Sequence, residues 1–294
     1  MTSCIRTVLA LFALAVFAAP SAAQSLIVCG WDEVFVLDVS STPRKVWSWK
    51  ALDRPELPPP FRTKFRTTDD CKPVSGGRVL ITASSDGAAL VERATGRTIW
   101  WGECGNAHSA ELLPGDRIVL ACSTREGTGN KLSLFDASKP ERELFATELF
   151  SGHGVVWDEA RARLWALGQK ELRSYRLEAW TTDRPSLVLD RRYPLPDVGG
   201  HELTAVPRSA HLIVTTHAGV WRFDRDTHRF GPDPDLRGLH DVKSAVIDAA
   251  TGQLAYTQAE PPDWWTSHIR FRHPDRDVRL EGERLYKVRW VGPE

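Results

Sequence analysis

Apolar and polar positions follow one pattern that returns five times along the chain. Each copy has a polar residue, a short apolar run, a turn and a second apolar run. The copies start 38, 45, 48 and 42 residues apart, which is typical of four-stranded propeller blades and too long for leucine-rich or tetratricopeptide repeats. They read DCKPVSGGRVLITASS from Asp70, HSAELLPGDRIVLACS from His108, HGVVWDEARARLWALG from His153, HELTAVPRSAHLIVTT from His201 and KSAVIDAATGQLAYTQ from Lys243. Since one repeat cannot bury its own apolar faces, we expect the copies to stack around a ring.

The strand pattern also predicts how that ring closes. Within the first copy, turns at Asp86-Gly87 and Thr95-Gly96 match hairpin chemistry and separate further short strands. Residues 25–50 offer three strands without an inner one, and LYKVRWV at 285–291 offers a single strand. We therefore predict an all-β, six-bladed β-propeller closed by pairing of its N- and C-terminal strands, which leaves no open sheet edge.

Residues 1–23 have the pattern of a secretory signal peptide, and residues 24–294 that of a single β-propeller domain. Arg6 provides the charged start, an apolar stretch runs to Ala19, and small residues precede a cut after Ala23. No later segment approaches the roughly 20 apolar residues of a membrane helix. We expect an exported, monomeric product, secreted or periplasmic, without membrane attachment after cleavage.

The charge balance narrows the range of expected binding partners. Without Arg6, 37 basic residues face 38 acidic ones, so no electrostatic footprint for nucleic acid is visible and we expect no nucleic-acid partner.

The chain has 12 Trp but only four Tyr and one Met, and several Trp fall inside predicted strands. Most of them are expected to pack between blades.

Four cysteines remain after signal cleavage: Cys29, Cys71, Cys104 and Cys122. An even count in an exported chain favours two disulfides, although sequence alone permits three pairings. The blade arrangement places all four near one rim, and we predict the bonds Cys104–Cys122 and Cys29–Cys71. Free buried thiols are the alternative.

The ring would bring the predicted site to one face. Inner strands start there, and the turns between second and third strands return to it, so the polar residues that start the repeats would share one axial funnel. The residues expected to bind a ligand in it, besides the histidines and Lys243, are Trp31, Asp32, Asp70, Asn130, Lys170, His217, Trp264 and Trp265.

Three imidazoles from consecutive blades are suitable ligands for a divalent ion. His108, His153 and His201 could hold Zn²⁺, Mn²⁺ or Ca²⁺, with Asp70 or water completing the coordination sphere. Two alternatives stay open: the rings could line a pocket without a metal, or each could bond the backbone of a neighbouring blade.

The same positions are candidates for acid-base chemistry. Lys243 and Lys170 would attract a carboxylate or a sugar acid, and Lys243 forms the predicted catalytic set with the three histidines. The alternative is that both lysines are solvated charges on the rim. Glu202 and Asp241 are further acid or base candidates. Trp264 and Trp265 could form a flat platform for sugar rings or, equally, a packed blade edge.

Several strings resemble a family of exported bacterial six-bladed propellers whose function is not established. They include CGWDEVFVLDV, NAHSAELLP, SGHGVVWDEARARLWALG and VKSAVIDAATGQLAYTQAE, and the resemblance covers the whole mature chain. A weaker similarity is to propeller polysaccharide lyases of the oligogalacturonate type, in which His residues and a metal lie on the funnel floor. It implies clustered His only, because no lyase motif matches residue by residue.

Three functions are compatible with these features. The first is a carbohydrate-active lyase or hydrolase acting on an acidic saccharide, and the second is a noncatalytic module that binds a saccharide, a peptide or another small molecule in the same funnel. The third is a structural propeller whose histidines only tie blades together. Nucleophile-elbow, P-loop, dinucleotide-binding and CxxC motifs are absent from the sequence.

Overall fold

Apolar residues at alternate positions fold the chain into short strands, which form six antiparallel four-stranded sheets. The computed structural model describes residues 24–292. The first three strands belong to the blade that closes the ring, blade 6: β1 Ser25–Gly30, β2 Glu33–Asp38 and β3 Arg44–Trp49. Blade 1 follows with β4 Thr68–Val74, β5 Arg78–Ala83, β6 Gly87–Glu92 and β7 Arg97–Glu103, and blade 2 with β8 Ala107–Leu113, β9 Arg117–Cys122, β10 Lys131–Asp136 and β11 Glu143–Glu148.

The remaining blades repeat this order, with the inner strand first. Blade 3 consists of β12 Gly154–Asp158, β13 Arg163–Leu167, β14 Glu171–Glu178 and β15 Ser186–Pro194. Blade 4 consists of β16 Glu202–Ala205, β17 His211–Thr215, β18 Val220–Asp224 and β19 Arg229–Pro232. Blade 5 consists of β20 Val242–Ile247, β21 Leu254–Gln258, β22 His268–Arg272 and β23 Arg276–Arg279, and β24 Lys287–Trp290 completes blade 6.

Closure by the two terminal strands is confirmed. Strand β24 pairs antiparallel with β1, with Leu26 opposite Trp290 and Cys29 opposite Lys287. The sheet order β24-β1-β2-β3 puts β24 innermost, and it contacts the inner strands β4 and β20 on either side. The six-bladed all-β architecture predicted from the sequence is therefore correct.

Apolar packing between blades holds the ring together. Six clusters of buried residues are found within residues 24–292, each between two neighbouring blades. Trp49, Trp100 and Trp165 are at most 2% exposed and anchor three of them, and burial of one large apolar side chain contributes about 1.5–3 kcal/mol. These tryptophans pack between blades, as predicted from the sequence.

The long connection between β3 and β4 is partly helical. It holds a 3₁₀ turn at Ala51–Asp53, the single-turn helix α1 at Pro59–Arg62 and a 3₁₀ turn at Thr63–Phe65. Proline suits the first turn of a helix because its missing N–H is not needed there. Phe61 and Phe65 are buried in the cluster between blades 6 and 1.

Residues 1–23, the predicted signal peptide, lie outside the described residues, so export and the cut after Ala23 stay predictions. Within the described part of the chain, no helix is both long enough and apolar enough to cross a bilayer.

One of the two predicted disulfides is present. Cys104 and Cys122 are bonded, with their Cα atoms 5.7 Å apart, whereas the predicted Cys29–Cys71 bond is wrong because both residues are free, buried thiols. They face the apolar cluster between blades 6 and 1, where a thiol packs as a small apolar side chain. Burial, followed by the neighbouring Cys29 thiol, raises the pKa of Cys71.

Removing β24 tests the closure. A chain truncated after Tyr286 should melt at a lower temperature and lose solubility, because β1 then has an unpaired edge at the axis. A chain truncated after Val291 keeps β24 and is the control, measured by thermal unfolding and size-exclusion chromatography. Equal melting temperatures for the two chains would contradict the closure.

The thiol content tests the cysteine assignment. The chain from Gln24 onward, denatured without reductant, should give two free thiols, from Cys29 and Cys71. The Cys104–Cys122 bond spans 18 residues, and a loop of this size contributes about 3 kcal/mol. Cys104→Ser should lower the free energy of unfolding by that amount. A thiol count of zero would reinstate the second bond.

Candidate functional site

One residue from each blade meets at the axis, on the face where the inner strands begin. Asp69, His108 and Lys243 are extra residues at β-bulges near the start of β4, β8 and β20. A bulge re-aims a side chain away from the regular sheet and is frequent beside functional sites. His153, His201 and Tyr286 directly precede β12, β16 and β24. We call these six residues the axial row.

Three members of the axial row make the same backbone hydrogen bond to the second strand of their blade. The N–H groups of His153, His201 and Tyr286 donate to the carbonyls of Leu167, Thr215 and Cys29 at 2.8, 2.9 and 2.9 Å. In each of these three blades, the residue that follows is the first one paired with the second strand.

The repeat position assigned to Asp70 belongs to Asp69. The bulge of β4 falls between Thr68 and Asp70, and that of β8 falls between Ala107 and Ser109. Asp69 is therefore the counterpart of His108, and Asp70 that of Ser109. Asp70 lies one step further along the axis, 1% exposed.

Neighbouring members of the axial row are in contact. Nδ1 of His108 lies 3.0 Å from Oδ1 of Asp69, although it is not aligned for a hydrogen bond. The rings of His108 and His153 are stacked with centroids 4.1 Å apart, and those of His153 and His201 are nearly perpendicular at 5.5 Å. Lys243 Nζ is 3.0 Å from Nε2 of His201. The structure thus brings together the three imidazoles and the lysine singled out from the sequence.

Two of these imidazoles are held neutral. Burial, followed by the neighbouring His108, lowers the pKa of His153 well below its usual value. Burial and the Lys243 ammonium do the same to the pKa of His201. Nδ1 of His153 donates to the carbonyl of Ser151 at 2.9 Å, because a carbonyl can only accept. The lone pair of the neutral His153 ring is therefore on Nε2.

His201 has the opposite tautomer. An ammonium can only donate, so Nε2 of His201 accepts from Lys243 and the ring proton of the neutral imidazole is on Nδ1. That Nδ1 is buried and has no hydrogen-bond partner. The row therefore contains an N–H group without an acceptor. Burying such a donor is unfavourable by about 1–3 kcal/mol.

Lys243 is a buried cation with one carboxylate neighbour. Burial lowers its pKa, while Asp241, with Oδ1 at 3.4 Å from Nζ, acts in the opposite direction. The lysine side chain is 7% exposed. Asp241 also accepts from Nδ1 of the exposed His240 at 3.1 Å.

His217 joins the row from the turn before β18. Its Nδ1 lies 3.1 Å from Nε2 of His201 and 3.8 Å from Oδ1 of Asp241. Gly199, at φ +80°, permits this position, since a Cβ there would meet the His217 ring at 1.8 Å. Within residues 24–292, His201, His217 and Asp241 are the set whose donor atoms all lie within 4.8 Å of one another.

A layer of buried charges lies beneath the axial row. Arg289 bonds Asp70 at 2.8 Å and both oxygens of Glu202 at 2.7 and 3.0 Å. Lys287 Nζ approaches the carbonyls of His201 and His153 at 3.2 and 3.4 Å. Burial would raise the pKa of Asp70, but Arg289, Lys287 and Lys72 lower it overall. Glu202 and Asp70 are therefore occupied by ion pairs.

Aromatic side chains extend the row outward. Trp31 and Trp264 are stacked with ring centroids 5.7 Å apart, and Trp265 meets Trp31 edge-on at 6.1 Å. Trp264 also contacts Tyr286 at 5.3 Å, and the guanidinium of Arg284 lies 4.3 Å above Trp31. Trp264 is 41% exposed, so this cluster presents an aromatic surface beside the axis.

The other predicted ligand-binding residues have supporting or peripheral positions. Oδ1 of Asn130 accepts from the N–H of Ser151 at 2.9 Å and so holds the loop before His153. Asp32 lies 3.5 Å from Lys50, and Lys170 is exposed at its turn. None of the three contacts the axial row by hydrogen bond or ion pair within the described residues.

A family model covers most of the sequence, from residue 14 to residue 293. The chain belongs to DUF6528, a family of unknown function. No curated protein matches it. Many chains of solved structures share the fold; one, from a crystal structure of a nidogen/laminin complex, is 16% identical with a TM-score of 0.60, over 90% of this chain and 97% of that chain. At this identity the likeness supports the architecture alone.

Acid should destabilise the fold through the neutral imidazoles. The unfolded chain binds protons near the ordinary imidazole pKa of about 6.5, whereas His153 and His201 in the folded chain do not until lower pH. The free energy of unfolding should therefore fall below about pH 6.5, by up to about 1.4 kcal/mol per pH unit for each ring. His153→Asn should reduce this slope, measured by urea unfolding at several pH values. Identical slopes for both proteins would contradict the buried neutral state.

Proposed function

We propose that this chain binds a small acidic saccharide at the axial row. The observation that carries the proposal is the position of Lys243, whose buried ammonium lies 3.0 Å from Nε2 of the neutral His201 ring. A carboxylate can pair with this cation without meeting a charge on His153 or His201. Beneath the row, Arg289 is already paired with Glu202 and Asp70.

Unused donors point to a ligand rich in acceptors. A lysine ammonium has three N–H groups, and Lys243 uses them for His201 and Asp241 alone. A carboxylate oxygen of a sugar acid could accept from the remaining N–H of Lys243, whose side chain is 7% exposed.

The exposed face of Trp264 supports a sugar ring over a simple anion. Aromatic rings offer a broad apolar surface to the C–H face of a saccharide, and Trp264 connects through Tyr286 to the axial row. One ligand could then contact the platform with its ring and Lys243 with its acid group.

A metal at His201, His217 and Asp241 is less well supported than an anion. The three donor atoms are close enough to share an ion, but Lys243 Nζ lies 3.0 and 3.4 Å from two of them. A divalent ion about 4 Å from an ammonium is repelled by on the order of 8 kcal/mol at an effective dielectric of about 20. The predicted triad of His108, His153 and His201 is also hindered, because two of its rings are stacked face to face.

Lyase or hydrolase chemistry on the bound saccharide is the second candidate. The lowered pKa of Lys243 favours it as a base. In an elimination, the neutral Lys243 amine would take the proton next to the carboxylate and become an ammonium. A carbon–carbon double bond would then form, and the glycosidic oxygen would leave as it accepts that proton back from the ammonium.

Calorimetric titration tests the binding proposal. Galacturonate should bind the mature chain, and galactose, which lacks the carboxylate, should bind about tenfold more weakly or not at all, since a charge-assisted hydrogen bond is lost. Lys243→Met should abolish the difference between the two sugars. Lys170→Met removes an exposed lysine on the same face and should change nothing.

Three results would redirect the assignment. Equal affinity for galacturonate in the Lys243→Met and Lys170→Met variants would remove Lys243 from the site. Saturable Zn²⁺ binding that is lost in His217→Ala would favour the metal. Ultraviolet absorbance of an unsaturated product from polygalacturonate, absent in Lys243→Met, would establish the lyase version.

A further inference from the structure

A cavity lies between blades 3 and 4, away from the axis. Its volume is about 220 Å³, and its wall includes Trp165, Ser174, Arg191, Tyr193 and His228. It extends to the turn between β12 and β13, which contains Arg161. Because β12 begins beside His153 and runs away from it, this turn belongs to the face opposite the axial row.

The cavity is rich in arginine, and most of these charges are already neutralised. Arg161 Nη1 and Arg225 Nη1 reach Oδ2 of Asp158 at 3.1 and 2.7 Å, and Arg163 Nε reaches Asp190 at 3.1 Å. The Arg225–Asp158 pair joins blade 4 to blade 3, and the other two pairs lie within blade 3.

Arg191 differs from the other arginines. Its Nη1 lies 3.3 Å from Nδ1 of His228, and no carboxylate of residues 24–292 is within ion-pair distance of it. It is exposed, so its guanidinium can receive an oxyanion from solvent. His228 comes from the turn between β18 and β19, so the two side chains flank the cavity from different blades.

A buried donor in the same wall has no acceptor. Trp165 is 2% exposed, and its Nε1 is buried without a hydrogen-bond partner. An indole N–H can only donate, and a buried unpaired donor is unfavourable. Ser174 lies directly opposite Trp165 in the β13–β14 pair.

Aromatic rings line the rest of the wall. Tyr193 lies 5.8 Å from Trp165, 4.9 Å from Phe223 and 5.2 Å from His228, measured between ring centroids. The cavity therefore combines an aromatic surface, one unpaired cation and an unpaired donor.

We propose that this cavity is a second ligand site, for a small oxyanion attached to a single ring. The oxyanion contacts Arg191 and His228, and the ring lies against Tyr193 and Trp165. Pockets that bind drug-sized ligands have volumes of roughly 300–1,000 Å³. The cavity here is smaller, about 220 Å³, which suits one sugar or aromatic ring with its anionic group. The site does not depend on the axial row.

The test follows the indole N–H signal of Trp165 by ¹⁵N-edited NMR, assigned by its disappearance in Trp165→Phe. The probes are phenyl phosphate, glucose 6-phosphate and inorganic phosphate, which separate an aromatic ring, a sugar ring and the anion alone. One ring-bearing probe should shift the Trp165 signal saturably and bind more tightly than inorganic phosphate. Arg191→Gln should raise its Kd about ten- to a hundredfold.

Arg192→Gln is the matched control. Arg192 is the next residue of β15, is exposed, and approaches Glu171 at 4.0 Å instead of lining the cavity. Its loss should leave the Kd unchanged. Equal weakening in both variants, the absence of a saturable Trp165 shift with all three probes, or equal affinity for inorganic phosphate and the ring-bearing probes would overturn the proposal.

Discussion

The axis of this propeller depends on one guanidinium. Arg289, from the strand that closes the ring, bonds Asp70 of blade 1 and Glu202 of blade 4, and it reaches Ser244 of blade 5 at 3.2 Å. All three charged side chains are at most 5% exposed. Removing one partner of a buried ion pair typically costs 3–5 kcal/mol. The blades are therefore locked together at the position where their backbones are closest.

This charge layer also determines the electrostatics of the row above it. Asp70 and Glu202 are paired with Arg289, whereas the buried cations Lys243 and Lys287 act on the imidazoles. Burial and the Lys243 ammonium keep the His201 ring neutral. Neutral rings beside buried cations support the proposed anionic ligand over a further cation.

The sequence predicts the fold well because blade strands have a strict period of two and are separated by recognisable turns. The N- and C-terminal strands could be matched for the same reason, since each end lacked what the other supplied. The pattern does not reveal a bulge, because one extra residue at a strand start leaves the apolar alternation intact. For this reason the pattern points to Asp70, whereas Asp69 occupies the equivalent position.

Other parts of the site could be found only from the structure. Tyr286 could have been recognised by extending the repeat alignment into the last strand, where it precedes KVRW. The ion pairs of Arg289 and the contact between His217 and His201 join residues that are far apart in sequence, and no local motif signals them. An even number of cysteines in the sequence likewise cannot show that Cys29 and Cys71 stay unbonded.

The bulges have a consequence for how such a site can change. Asp69, His108 and Lys243 lie outside the regular ladder, and His153, His201 and Tyr286 precede it. Replacing any of them alters the chemistry at the axis while the paired backbone of the blade stays the same. The ring therefore behaves as a frame in which the six axial side chains can be exchanged without changing the strand pairing, although each exchange also alters the contacts of its neighbours in the row.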